Sequence, residues 1–281
     1  MGGGIPPASD DVDYESLIDA YVLAGSERGV TELGFTEHLY RFVESGDALG
    51  RFWESDDHPE LSEHSRAFVT ADRTLSLETY VDVITAAKDR GLPIKLGLEI
   101  DYFPETIDAV LELIDPYPWD FLIGSVHWLG PWAIDSGEVA WEFERRGVDR
   151  AWAEYFGLVR SLAASGAVDV LAHVDVCKKY GYRPDREPVD LYASVVAAAA
   201  GSGTAVELSS QGLRKPIAEE YPSPAFLKMF QTAGVPITLA SDAHVPGEVG
   251  FAHDHLVAAA RSAGYTSRLT FDRRVPGSVP L

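Results

Sequence analysis

The chain has 281 residues, 46% hydrophobic and 24% charged, which suits one large buried core or two smaller ones and argues against disorder except at the ends. Its 44 acidic residues against 23 basic ones give a formal charge of -21, so a nucleic-acid backbone or an anionic membrane would be repelled over most of the surface. A small anionic substrate is still compatible, because bound metal ions reverse the sign of the field inside a pocket.

The single cysteine, Cys177, precludes an intramolecular disulfide and fits a reducing compartment, so the expected location is the cytoplasm. The opening MGGGIPPASDDVDYE has no basic or apolar leader region, and no later run approaches the length of a membrane span. Residues 1–13 read as a flexible terminus.

From 14 to 28, YESLIDAYVLAGSER places Leu17, Ile18, Tyr21 and Val22 on one helical stripe, and Gly29 follows as a stop. A strand is predicted at 31–36. Residues 41–75 are polar, aromatic-spotted and weakly periodic, an inserted excursion rather than a sheet element. A helix at LETYVDVITAAKDR ends at Gly91, and Pro93 precedes a strand at 94–100. ETIDAVLELID is helical, a strand covers 120–126, and a loop with Trp128 and Trp132 leads to a helix at 148–164. Strand 168–172, helix DLYASVVAAAAGSG, strand 204–209, helix PAFLKMFQTAG and strand 236–241 complete the series.

Strand and helix alternate without a composition break, so 1–281 reads as a single α/β domain with a parallel sheet, most simply closed as a barrel. An open doubly wound sheet is the alternative, weakened because no GxGxxG or GxxxxGK[ST] follows the first strands.

In a barrel the site forms at the C-terminal ends of the strands. Those ends carry Glu37-His38, Glu99-Ile100-Asp101, His127, His173-Val174-Asp175, Glu207 with Ser209-Ser210, and Asp242-Ala243-His244. Singly, each has a bland reading: a hydrogen-bonded core histidine, or an aspartate capping the next helix. Together they form a mixed imidazole and carboxylate set without cysteine, suited to more than one divalent ion, with Glu99 the candidate bridge. Paired ions activate water and clamp attacking and leaving oxygens, so hydrolysis of a phosphate ester is the expected reaction class. His58, His64, His253 and His255 fall outside this set and read as solvated.

GFTEH at 34–38, GLEID at 97–101, GSVHW at 124–128, AHVD at 172–175 and SDAH at 241–244 resemble, in order, the motifs of the PHP (polymerase and histidinol phosphatase) superfamily. ELSSQGLRKP at 207–216 and EEYPSP at 219–224 bring the resemblance closest to its histidinol-phosphate phosphatases. The resemblance implies a distorted seven-stranded β/α barrel and two or three ions of manganese, iron or zinc. It matches His38, Glu99, His127, His173, Asp242 and His244 to ligand positions. Arg214, assisted by Lys215, would hold the phosphate of a small phosphorylated metabolite, and Trp128 would line the imidazole side of the pocket. The implied reaction is hydrolysis of L-histidinol phosphate in histidine biosynthesis; the alternatives are another small phosphomonoester or a catalytically impaired relative.

The family begins with a strand ending in His-x-His, whereas here MGGGIPPASDD stands in that place and no histidine precedes His38. The expected explanation is a natural start further upstream. The others are an open barrel seam with Asp10, Asp11 or Asp13 as weaker ligands, or a non-catalytic relative retained for binding.

Overall fold

A computed structural model of the chain describes Pro6, residues 13–56 and residues 58–281. Candidate ligands Asp10 and Asp11 lie outside these residues. Asp13, the third, is the N-cap of α1 (Tyr14–Ser26), where its carboxylate accepts from the Ser16 amide at 3.0 Å and the Ser16 hydroxyl at 2.6 Å. It serves the helix rather than a metal.

Six parallel strands form the central sheet: β1 (Leu33–His38), β2 (Ile94–Asp101), β3 (Phe121–Ser125), β6 (Val170–Leu171), β7 (Ala205–Ser209) and β8 (Ile237–Ala240), hydrogen-bonded in that order. The short antiparallel pair β4 (Trp128–Leu129) and β5 (Trp132–Ala133) rises from the end of β3, and β9 (Ser267–Asp272) pairs with β10 (Val275–Pro280). The sheet is buried on both faces, which is why β2 and β7 read as near-continuous apolar runs rather than alternating ones. Between strands run α4 (Leu77–Asp89), α5 (Ile107–Ile114), α7 (Val148–Ser165), α8 (Val189–Ser202), α9 (Pro224–Thr232) and α10 (His253–Ala263). Their ends follow from sequence: Ser76 caps α4 through the Thr79 amide, and Gly166, Gly203 and Gly264 end α7, α8 and α10 at positive φ.

The sheet curls into a half-barrel. The resemblance implied seven strands; the described residues supply the six read directly from the sequence, and β1 and β8 are not paired with each other. A cavity of ≈ 240 Å³ runs along that seam, lined by β1, by Thr238–Ala240 of β8, by Arg268–Phe271 of the terminal hairpin at one end, and by His38, His173 and Asp242 at the other. Inside, the Phe121 ring packs against the flat backbone of Gly34 and Gly97. A Cβ on Gly97 would lie 2.7 Å from that ring and 2.8 Å from the Phe35 carbonyl.

The 41–75 excursion adds no strand to the sheet but is more ordered than its weak periodicity suggests. It holds α2 (Ser45–Leu49) and α3 (Pro59–Asp72), which bury Leu49, Leu61 and Val69. Ser65 anchors α3 by donating to the Pro131 carbonyl at 2.7 Å. His64 is not solvated: its side chain is 16% exposed, with Nε2 3.2 Å from Ser136 Oγ. His58 Nδ1 lies 2.9 Å from an Arg145 nitrogen of α6 (Glu142–Arg146). No helix among the described residues is long and apolar enough to cross a membrane.

Candidate metal centre

Parallel pairing in register brings the ends of β1, β2, β3 and β6 to one rim, and there Glu99 meets three imidazoles. Its Oε1 is 3.2 Å from His173 Nε2 and 3.5 Å from His127 Nε2, and those two nitrogens are 3.3 Å apart. Its other oxygen, Oε2, is 3.3 Å from His38 Nδ1. Tetrahedral donors at about 2.0–2.1 Å from one ion lie about 3.3–3.4 Å from each other. The Glu99–His127–His173 triangle has those dimensions, and the second carboxylate oxygen faces a separate imidazole, the arrangement of a bridge. Among the described residues, Glu99 Oε1 and His38 Nδ1 are buried atoms that face nitrogen or oxygen neighbours at 3.2–3.5 Å without the alignment of a hydrogen bond. The donor set therefore fits a divalent cation.

The electrostatics agree. Burial alone would push the Glu99 carboxyl up, yet His38, His173 and His127 outweigh it and hold the group well below the usual carboxylate range. For His173 burial opposes protonation, but Glu99, Glu207 and Asp242 override it and push the imidazole up to about 10. The pocket thus favours positive charge at its centre, in a protein whose surface is strongly acidic.

Two ligand candidates sit in strained backbone. His173 has φ +21° and Asp242 φ +47°, a region that non-glycine residues rarely occupy. The Glu207 carboxylate, 5% exposed, accepts from the His173 amide at 2.9 Å and so holds that turn. Burial and the Asp242 charge push Glu207 up to about 7 against the opposing effect of His173.

Asp242 and His244 stand further out. The rings of His38 and His244 are 6.1 Å apart, and His244 Nδ1 lies 3.1 Å from the Asp242 carbonyl. Their donor atoms are not in the tight groups that His38, Asp101 and His127, and Glu99, His127 and His173, form among the described residues. Asp242 accepts instead from the Gln211 amide. Arg214 reaches this turn, donating to the Ser241 carbonyl at 2.6 Å and the Asp242 carbonyl at 3.0 Å, with Glu248 2.6 Å from its other terminal nitrogen. Lys215 is half-buried beside it, and burial, Lys179 and Arg214 lower its ammonium. Trp128 does not line the cavity as expected: it is 3% exposed, donates to Ser65 Oγ at 3.1 Å, and packs among Tyr40, Phe52 and Phe103 behind His127. Its large apolar surface is worth more in that aromatic cluster than at a wet rim. His253, read as solvated, lines the cavity, and His255 Nε2 lies 3.3 Å from Glu220.

Sequence reasoning placed Asp101 and Glu207 at strand ends without giving either a role, and it did not single out Lys179 or Asp135. Asp101 was legible, since residues two apart on a strand share a face and Glu99 was already placed inward. Lys179 and Asp135, paired at 2.9 Å across distant loops, carried no local signal.

The sequence profile described as the PHP domain matches residues 12–211. The chain belongs to the PHP domain family. This PHP domain chain is 34% identical over 248 residues to the probable histidinol-phosphatase of Deinococcus radiodurans, covering 87% of this chain and 86% of that protein. It is 27% identical over 203 residues to the histidinol-phosphatase of Bacillus subtilis, covering 64% of this chain and 75% of that one. Among solved structures, the PHP chain resembles the histidinol phosphate phosphatase of Lactococcus lactis complexed with zinc, L-histidinol and phosphate. The TM-score is 0.73 at 20% identity, covering 96% of this chain and 94% of that one. That likeness carries the fold: α/β, with a curled parallel sheet.

Proposed function

We propose that the chain is a metal-dependent phosphomonoesterase that hydrolyses L-histidinol phosphate to L-histidinol and phosphate, as a step of histidine biosynthesis. The observation that carries this reading is the triangle of Glu99, His127 and His173 donors, with His38 on the opposite carboxylate oxygen. The names of the relatives supply the substrate. Glu99, His38, His127 and His173 would hold the ions, and Asp242 and His244 would complete the coordination from the end of β8. When bound, divalent ions supply a nucleophilic water at neutral pH and offset charge on the phosphoryl oxygens.

The protein's own groups do the rest. Arg214 keeps the Ser241–Asp242 turn in place, and with Lys215 and Lys179 it gathers positive charge beside Asp242. Guanidinium and ammonium groups at that rim would orient a phosphate and stabilise it as bond cleavage shifts charge onto its oxygens.

Phosphate release from L-histidinol phosphate, with manganese or zinc supplied, tests the reading beside a panel of other small phosphomonoesters. Turnover that favours histidinol phosphate and disappears in His173→Ala supports it. Faster turnover of another ester would overturn the substrate, and phosphate binding without turnover would overturn the activity.

A further inference from the structure

We propose that Asp101 is a positioning residue that holds His127 in the tautomer with its hydrogen on Nδ1, leaving the Nε2 lone pair free to ligate. The inference rests on the reading of Glu99, His127 and His173 as metal ligands. Asp101 Oδ1 lies 2.8 Å from His127 Nδ1, and the carboxylate side chain is 1% exposed. The second neighbour of Nδ1, Ser125 Oγ at 3.2 Å, has the Ile100 carbonyl 3.4 Å away as an acceptor for its own hydrogen, so it can accept from Nδ1 as well. The Asp101 carboxylate, the nearer of the two, can only accept, and an imidazole facing it carries its hydrogen on that nitrogen. Nε2 then presents a lone pair toward Glu99 Oε1 and His173 Nε2.

The same carboxylate works in two directions. Its Oδ2 accepts from the Tyr40 amide at 3.3 Å, two residues beyond His38, so Asp101 ties the turn after β1 to the end of β3. This second bond makes the two obvious substitutions differ. The Tyr40 amide can only donate, so in Asp101→Asn the amide oxygen must turn to Tyr40 and the amide nitrogen to His127 Nδ1. That forces the imidazole hydrogen onto Nε2, where it blocks the ligand position. Asp101→Ala removes the constraint without imposing the wrong tautomer. A purely structural aspartate would show the opposite order, because asparagine is nearly isosteric and alanine leaves a hole.

The test is zinc affinity, measured by chelator competition on the whole chain and on D101N, D101A and H127A, beside nitrogen-15 histidine NMR of the metal-free protein. The expected result is zinc binding about 10–100-fold weaker in D101N, weaker than in D101A as well, with the His127 signal moving from the Nδ1–H to the Nε2–H pattern. D101N binding within about threefold of the unmodified chain, well short of the expected 10–100-fold, would overturn the inference, as would D101N binding more tightly than D101A. An Nε2–H tautomer in the unmodified chain overturns it even if a variant fails to fold. H127A binding zinc as tightly as the unmodified chain would instead overturn the ligand reading beneath it, whereas H127A failing while D101N binds normally sinks the tautomer role alone.

Discussion

Replacing Lys178 with methionine removes a buried ammonium and leaves its carboxylate partner behind. Lys178 has no exposed side-chain surface, and its Nζ lies 2.8 Å from Asp175 Oδ2, 2.5 Å from Glu219 Oε1 and 2.8 Å from the Glu220 carbonyl. Glu219 keeps Arg183 at 2.5 Å, but among the described residues Asp175, also fully buried, keeps only the Ser223 amide. Stranding one buried carboxylate costs about 3–5 kcal/mol. At about 2–4 °C per kcal/mol for a chain of this size class, Lys178→Met should melt roughly 6–20 °C lower. Neutralising the stranded group in Lys178→Met/Asp175→Asn should recover most of the loss, because removing both members of a buried pair is often near neutral. Burial already pushes the Asp175 carboxyl up with Lys178 present. A carboxyl raised on folding takes a proton more readily folded than unfolded, so keeping it ionised lowers stability progressively as pH rises from the ordinary carboxylate range through the folded value. The penalty in Lys178→Met should therefore be smallest in acid and grow toward neutral pH. Urea and thermal melts of the three proteins across pH provide the measurement. A single variant within about 1 kcal/mol of the unmodified chain, or a double variant no more stable than the single one, would refute the reasoning.

Glu99→Gln leaves the volume but weakens the donor shared by three imidazoles. Metal content by elemental analysis should fall, and phosphate release should drop on the order of 10³-fold, about 4 kcal/mol in the barrier; full metal occupancy with unchanged turnover would contradict the bridge. Gly97→Ala places a Cβ 2.7 Å from the Phe121 ring and 2.8 Å from a carbonyl oxygen that cannot retreat. It should cost about 1–3 kcal/mol by urea melt, and a neutral result would mean that the seam yields easily. In Arg214→Lys a single ammonium replaces a planar fork that reaches Ser241, Asp242 and Glu248 at once. The variant should melt normally yet lose about tenfold or more in kcat/KM, and an unchanged value would remove Arg214 from the working site.

The sequence by itself determined the α/β series, because helix and strand periodicities are local and survive in one dimension. It also placed His38, Glu99, His127 and His173 at strand ends. Once the strands are parallel, their C-terminal ends must share a rim whatever their separation along the chain. The same logic put Asp101 at the end of β2, on the Glu99 face, without assigning it a role. Local pattern could not decide how far the sheet closes, since the seam between β1 and β8 reflects accumulated curl and the strands available to fill it. Nor could it place Trp128, which follows a ligand yet turns into an aromatic cluster completed by Phe52 and Phe103 from other segments. The Lys178 knot joins residues 41 and 42 positions apart in the chain, and Asp101 meets His127 across 26. Such pairings depend on loop paths and on which face each turn presents, and only the folded chain sets those.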